Sequence, residues 1–249
     1  MNNFILEKII NKKLNSHKYP KDYAPNGLQV EGKNKIKKVI TGVTACQNLL
    51  KIALQKNADA IIVHHGYFWK NQEKKILGMQ RHRLKILLSN NINLYSWHLP
   101  LDLHPEFGNN IQLGKLLNIT TYGYAFPYVL TGKFKKKHTV TSLIHTISKK
   151  LDRVPFHYGR TGPKYIKYVA WCTGKGQNFF NKSINLKIDA YLTGEVSEET
   201  IHIAEENKVH FFSLGHHATE KSGIFLLGKW LSQKDKNLNV TFIDIHNPI

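Results

Sequence analysis

The sequence contains little cysteine and little arginine, and each shortage excludes a class of protein. The two cysteines, Cys46 and Cys172, provide neither a disulfide framework nor a paired-cysteine metal site. Four of the 36 basic residues are arginine, whereas proteins that contact bases and phosphates favour arginine for its bidentate hydrogen bonds. The excess of lysine, asparagine and isoleucine is therefore better explained by an AT-rich genome than by selection for a polyanion.

Long apolar runs are also lacking. No stretch approaches the ~20 apolar residues that a membrane-spanning helix needs. Residues 1–20 space their apolar side chains as a surface helix does and lack the compact apolar core of a signal peptide. We therefore expect a soluble cytoplasmic protein with no membrane partner. The net charge of +19 weakly favours a small anionic substrate, such as a nucleotide.

A faint internal repeat relates the two halves of the chain. At an offset of 130 residues, seven identities fall in an ungapped window of 25 positions, and Asp59-Ala60 corresponds to Asp189-Ala190. On both sides strands alternate with helical stretches, which is typical of α/β units with mostly parallel strands. We predict an α/β fold of two similar lobes, residues 1–126 and 127–249, with ligands bound beyond the carboxyl ends of the strands.

The segment DAIIVHHGYFW (59–69) ends an apolar strand in two adjacent histidines, His64 and His65. Because burying two imidazole rings without partners is costly, the pair predicts a ligand site. Adjacent residues of a straight strand point to opposite faces, so the two rings can bind one ion together only if the backbone turns at Gly66. Two ions would instead let each histidine bind its own.

Each half also places a carboxylate four residues after a strand-ending histidine. Asp102 follows His98 in this way, and Glu220 follows His216. Imidazoles and carboxylates without a competing set of thiolates suit Zn, Mn, Fe, Co or Ni. Two such ions about 3.5–4 Å apart form a familiar hydrolytic arrangement. The alternative is that the carboxylates cap helices and that the histidines lie singly at the surface.

Five motifs are ordered along nearly the whole chain. They are NGLQVEG (26–32), the double-histidine segment (59–69), YSWHLPLDLHPEFGNN (95–110), AYLTGEVSE (190–198) and GHHATE (215–220). Together they resemble the motifs of the GTP cyclohydrolase 1 type 2 homologue family, also called Ngg-interacting-factor-like proteins. The short chain resembles members that lack an inserted middle domain. His217 is a departure, since the family usually has tyrosine at this position.

The resemblance implies two similar α/β lobes, a dinuclear metal site in the cleft between them, and a homohexameric ring. It also implies that His98 is a pocket histidine beside the ions, and we take it as the candidate catalytic residue. Glu220 is expected to bridge the two ions. The implied metal ligands are His64, His65, Asp102, His216 and Glu220.

Two functions are compatible with these residues. The first is a metal-dependent hydrolase that uses two divalent ions, acts on a purine nucleotide as a GTP cyclohydrolase would, and moves a proton through His98. The alternative is a ring-shaped metal-binding interaction protein that docks nucleic acid or a protein partner, with structural ions. Docking of nucleic acid predicts lysines gathered along one face, and binding that weakens steeply with added salt.

Overall fold

A computed structural model describes all of residues 1–249, which form two compact α/β units. The first unit comprises Met1–Phe107 and Gly223–His246, and the second comprises Gly108–Ser222 and Asn247–Ile249. The predicted α/β fold with two similar units is thereby confirmed. None of the helices combines the length and the apolar composition that a transmembrane span requires.

Strands and helices alternate along most of the chain. The strands are β1 (Gly27–Val30), β2 (Lys38–Thr44), β3 (Ala60–His65), β4 (Asn93–Ser96), β5 (Ile119–Phe126), β6 (Val129–His138), β7 (Phe156–Tyr158), β8 (Ile166–Trp171), β9 (Ala190–Thr193), β10 (His210–Ser213) and β11 (Asn239–Phe242). The α-helices are α1 (Asn3–Leu14), α2 (Gln47–Gln55), α3 (Gly78–Ser89), α4 (Leu99–Asp102), α5 (Asn109–Leu116), α6 (Val140–Leu151), α7 (Phe180–Ser183), α8 (Glu198–Asn207) and α9 (His216–Lys234). Short 3-10 helices occupy Ser16–Lys18, Gln177–Phe179 and Ile184–Leu186.

The first unit is built on a five-stranded sheet in the order β1-β4-β3-β2-β11. Its four neighbours β4, β3, β2 and β11 are parallel, and β1 closes one edge antiparallel to β4. Ile61 and Val63 pack into a core on one face of β3, while Ala60 and Ile62 pack into another core on the opposite face. This double burial explains why β3 is continuously apolar up to its histidines.

The second unit is built on a six-stranded sheet in the order β5-β6-β8-β9-β10-β7. Strands β8, β9 and β10 are parallel, as predicted, but β5, β6 and β7 pair antiparallel with their neighbours. The two-residue connection from Phe126 to Val129 is too short for a parallel crossover and therefore makes β5 and β6 a hairpin. The predicted lobe boundary at residues 126 and 127 lies at this turn, and the division into 1–126 and 127–249 stays a prediction.

The internal repeat has a counterpart in the hydrogen bonds of two aspartates. Oδ2 of Asp59 accepts hydrogen bonds from the backbone N–H groups of residues 37 and 38 at 2.9 and 3.0 Å. Oδ2 of Asp189 accepts hydrogen bonds from the N–H groups of residues 167 and 168, both at 2.8 Å. Each aspartate thus holds the start of one strand next to the start of its parallel neighbour. These pairs keep the offset of 130 residues, so the duplicated sequence forms a duplicated strand pair.

Candidate metal centre

His64 is the buried, last-but-one residue of β3 in the first unit, with 0% of its surface exposed. Its Nδ1 lies 3.0 Å from the backbone carbonyl oxygen of Trp97, which can only accept a hydrogen bond. Nδ1 therefore carries the proton, and the lone pair lies on Nε2. That Nε2 atom is 3.3 Å from Oδ1 of Asp102. Two lone-pair atoms held this close favour a cation shared between them, as in histidine–metal sites whose second nitrogen is fixed.

His65 and His98 bring two further imidazoles to the same end of the sheet. One nitrogen of each of His64, His65 and His98 lies within 4.8 Å of the others, so this group could hold a metal ion. The rings of His64 and His65 converge, with centroids 4.4 Å apart. Nδ1 of His65 is hydrogen-bonded to the hydroxyl of Thr44 at 3.2 Å. Adjacent residues of a straight strand are expected to point to opposite faces. These two rings instead lie close together, at the end of β3 where the backbone leaves the sheet.

Gly66 makes this departure from the sheet feasible. A Cβ atom at residue 66 would collide with the amide oxygen of Gln29 and would lie 2.6 Å from Cβ of Ser96. The backbone N–H of Tyr67 donates a 2.7 Å hydrogen bond to the same amide oxygen. Glycine is required at residue 66 because the loop after the two histidines runs directly against β1 and β4.

Asp22 fixes His98 and is a residue that the sequence analysis missed. Its Oδ1 accepts a 2.7 Å hydrogen bond from Nδ1 of His98, and its Oδ2 accepts from the amide of Asn26 and the N–H of Leu99, both at 2.9 Å. Burial alone would raise the pKa of Asp22, but these hydrogen bonds and the charge of His98 outweigh it and lower the pKa below 3.8. The ionised carboxylate holds Nδ1 of His98 and therefore leaves Nε2 directed at Asp102.

Asp102 ends the single-turn helix α4, which follows His98. Proline at residue 100 is tolerated because it lies in the first turn, where its missing N–H has no partner in the helix. Oδ2 of Asp102 lies 4.0 Å from Nε2 of His98. Asp102 therefore faces both His64 and His98, and the structure brings together every candidate residue that belongs to the first unit.

His216 and Glu220 form the corresponding pair in the second unit, on the first turn of α9. Their spacing puts Nε2 of His216 3.1 Å from Oε2 of Glu220 on one face of the helix. Nδ1 of His216 lies 2.6 Å from Oε1 of Glu195, which follows β9. Burial alone would lower the pKa of His216, but the hydrogen bonds and charges of Glu220 and Glu195 raise it to about 9. The imidazole is held between two carboxylates, whose negative charge favours a cation at this position.

Glu195 is the second residue of the candidate site to which the sequence patterns assigned no role. Gln177 donates a hydrogen bond to its Oε2 at 3.2 Å, which fixes the carboxylate beneath His216. A weak signal existed, because Glu195 is the repeat position of His65. Gly174, with a φ of +62°, approaches the pair so closely that a Cβ atom there would collide with Oε1 of Glu220. The backbone of this loop therefore forms a wall beside the His216–Glu220 pair.

His104, a further histidine in the motif at residues 95–110, has a structural role. Its Nε2 donates to the carbonyl oxygen of Lys13 at 3.0 Å, and its Nδ1 accepts from the N–H groups of Glu106 and Phe107. The ring thereby joins α1 to the loop after α4.

Comparison with known proteins places these residues in context. A model of the family described as Duf34/NIF3 (NGG1p interacting factor 3) matches residues 1–248. A protein of Buchnera aphidicola subsp. Schizaphis graminum, named GTP cyclohydrolase 1 type 2 homolog, is 58% identical, and the match covers 100% of both chains. A solved structure titled protein ybgI, of unknown function, is 53% identical with a TM-score of 0.97 over 100% of both chains. TTHA1606 from Thermus thermophilus is 29% identical with a TM-score of 0.89, again over 100% of both chains.

Proposed function

Because the chain belongs to the Duf34/NIF3 (NGG1p interacting factor 3) family, we propose that it is a hydrolase with a dinuclear site for divalent metal ions. Its substrate would be a purine nucleotide, as in a GTP cyclohydrolase reaction, and the name of the Buchnera relative supports this reaction class. The observation that carries the proposal is a shared arrangement. His64, His98 and His216 each have Nδ1 fixed by a hydrogen bond and Nε2 directed at a carboxylate.

The donor atoms fit divalent transition metals. His64 is 0% exposed and Glu220 is 3% exposed, and buried imidazoles and carboxylates suit Zn, Mn, Fe, Co or Ni. When bound, two such ions supply Lewis acidity and lower the pKa of water. We propose Glu220 as the ligand common to both ions. The proposed ligands are His64 and His65 with Asp102 from the first unit, and His216 with Glu220 from the second.

His98 would move the proton that hydrolysis requires. Hydrolysis of the purine five-membered ring adds water to the carbon between two nitrogens, so one proton must leave the water and one must reach the departing nitrogen. Asp22 holds the proton on Nδ1 of His98. Nε2 is therefore the atom that accepts a proton from water and returns it to the departing nitrogen.

The predicted homohexamer and the predicted cytoplasmic location also stay proposals. Light scattering coupled to size exclusion tests the oligomer. A homohexamer has six times the chain mass of 28.7 kDa. A mass of one chain at working concentrations would contradict it.

An interaction protein that docks nucleic acid is the second candidate, and a lysine-rich part of the second sheet favours it. Lys133, Lys135 and Lys137 lie along β6, and Lys135 and Lys137 are exposed. Nζ of Lys133 lies 5.8 Å from the ring of the exposed Tyr122, and Nζ of Lys167 lies 5.8 Å from its neighbour's exposed ring, that of Tyr168. Lysines interleaved with aromatic rings are typical of surfaces that bind single-stranded nucleic acid.

Turnover of GTP by the metal-loaded protein tests the hydrolase directly. We expect loss of the purine absorbance spectrum with wild type, and a kcat lower by about 10²–10⁴-fold in His98→Gln with unchanged metal content. Metal-loaded wild type that turns over no purine nucleotide would overturn the proposal.

The second candidate instead predicts oligonucleotide binding. This binding would fall steeply with salt and would be weakened by Lys133→Glu combined with Lys135→Glu.

A further inference from the structure

A cleft of about 800 Å³ on the first unit is lined by aromatic and basic side chains and by one carboxylate. Its position is informative because the carboxylate is that of Asp22, which holds His98. We call it the aromatic cleft. The lining residues that matter here are Lys12, His17, Asp22, Tyr23, Phe68 and Lys70.

Phe68 is held in a conformation that aromatic residues rarely adopt. Its φ is +63°, in the left-handed region, and 40% of its surface is exposed. The backbone is fixed on both sides. The N–H of Tyr67 donates to Gln29 at 2.7 Å, and the N–H of Lys70 donates to the carbonyl oxygen of Tyr23 at 2.9 Å. Backbone outliers that the surrounding hydrogen bonds hold in place are typical of residues that contact a ligand.

Tyr23 connects the cleft to His98, the residue proposed to carry the proton. It is 56% exposed, and its ring meets the ring of His98 edge to face with centroids 6.1 Å apart. A planar ligand in contact with Tyr23 therefore lies close to His98. Two exposed aromatic rings that line one cleft, those of Tyr23 and Phe68, are suited to stack on a heterocyclic base.

The charges of the cleft favour an anion. Lys12, Lys70 and His17 are exposed basic side chains that line it, and Nζ of Lys70 is held by the carbonyl oxygen of Lys21 at 2.9 Å. The negative charge of Asp22 is already engaged by its hydrogen bonds to His98, Asn26 and Leu99. A purely apolar ligand would leave the lysines without a partner charge, and a metal cation would find a single carboxylate.

We propose that the aromatic cleft binds a nucleotide, with the base stacked on Tyr23 and Phe68 and the phosphate at Lys12 and Lys70. This inference deepens the proposed function, on which its role as the substrate subsite rests. Binding itself requires no turnover and is measurable separately. Stacking on one aromatic side chain contributes about tenfold in affinity.

Calorimetric titration of the metal-containing protein with GMP tests the inference, with guanosine and inorganic phosphate as further probes. Phe68→Asn removes the ring, and asparagine tolerates the left-handed conformation, so the backbone is not strained. Phe68→Tyr keeps the ring. The control is Phe4→Ala, an exposed aromatic outside the cleft. We expect about tenfold weaker GMP binding in Phe68→Asn and in Lys12→Ala, unchanged binding in Phe68→Tyr and Phe4→Ala, and weaker binding of guanosine and of phosphate than of GMP.

Three results would overturn the inference: no binding of GMP by wild type, GMP binding that Phe68→Asn leaves unchanged, or phosphate binding as tight as that of GMP. The proposed function fails in a different way. GMP binding that follows the variants without any turnover would leave the cleft as a nucleotide site and remove the hydrolase. Turnover whose KM is the same in Phe68→Asn and wild type would support the hydrolase and remove the subsite.

Discussion

Nδ1 of His98 lies 2.7 Å from Oδ1 of Asp22, although 76 positions separate the two residues in the sequence. The second unit repeats the relationship, since Nδ1 of His216 lies 2.6 Å from Oε1 of Glu195. In both units a carboxylate fixes one nitrogen of a histidine, and the other nitrogen is directed at a second carboxylate. Histidines oriented in this way are typical of metal sites and of proton-transfer sites.

Asp22→Asn tests whether the carboxylate positions His98. Asparagine keeps the shape of the side chain but removes the charge that holds the proton on Nδ1. We expect kcat to fall about 10–100-fold. Asp235→Asn, a half-buried residue that bonds its own loop, is the matched control. A kcat equal to that of wild type would show that Asp22 has no role in proton transfer.

Glu195→Gln tests the corresponding contact in the second unit. The amide cannot supply the charge that orients His216, so we expect metal affinity to fall about 10–100-fold. Glu198→Gln is the matched control. Glu198 also forms a hydrogen bond to a histidine, His202 at 3.0 Å, but this pair is exposed and lies outside the candidate metal centre. Competition with a chelator measures the affinities. Equal affinities in the two variants would remove Glu195 from the site.

Asp189→Ala tests the duplicated strand contact. The carboxylate accepts two backbone hydrogen bonds at 2.8 Å, and hydrogen bonds to charged groups are each worth about 1.5–3 kcal/mol. We expect the free energy of unfolding to fall by about 2–4 kcal/mol in urea titrations, less than the sum of the two bonds because water replaces them in part. Glu199→Ala, an exposed residue on α8, should change it by less than about 0.5 kcal/mol. A similar small change in Asp189→Ala would contradict the account of the repeat.

His157 gives a pH dependence outside the candidate metal centre. Burial, and then the charge of His210 at 3.1 Å, lowers the pKa of His157 from 6.5 to about 4. Between these values the unfolded chain binds a proton that the folded protein excludes, so stability decreases as the pH falls from 6.5 to 4. His157→Gln should show a shallower decrease in melting temperature over this interval. Parallel curves for the two proteins would show that His157 titrates normally in the folded protein.

The sequence was sufficient for those features that local patterns encode. The apolar run into His64 and His65 predicted a buried strand with a site at its end, and the offset between Asp59 and Asp189 predicted a duplicated α/β unit. Hydrophobic periodicity and strand-end position carry this information without any long-range contact. The same patterns predicted parallel strands in the second unit too broadly, since the short turn at residues 127 and 128 produces a hairpin.

The residues that support the site were beyond such patterns. Asp22 lies in a loop without regular spacing, and its partner His98 comes close only when the sheet forms. Glu195 occupies the repeat position of His65 but differs in chemistry, so comparison of the two halves obscured it. Phe68 is conspicuous through its backbone conformation, which no spacing of side chains indicates. Contacts between residues distant in sequence require the folded chain.

Metal analysis of the purified protein tests the central claim most directly. We predict two divalent transition-metal ions per chain in wild type, measured by plasma mass spectrometry after exhaustive dialysis. Glu220→Ala, which removes the proposed common ligand, should retain at most one, and Glu199→Ala should retain both. Wild type would be purified without chelators and incubated with Zn, Mn, Fe, Co or Ni. Binding of no ion by this protein, or of two ions by Glu220→Ala, would contradict the dinuclear site.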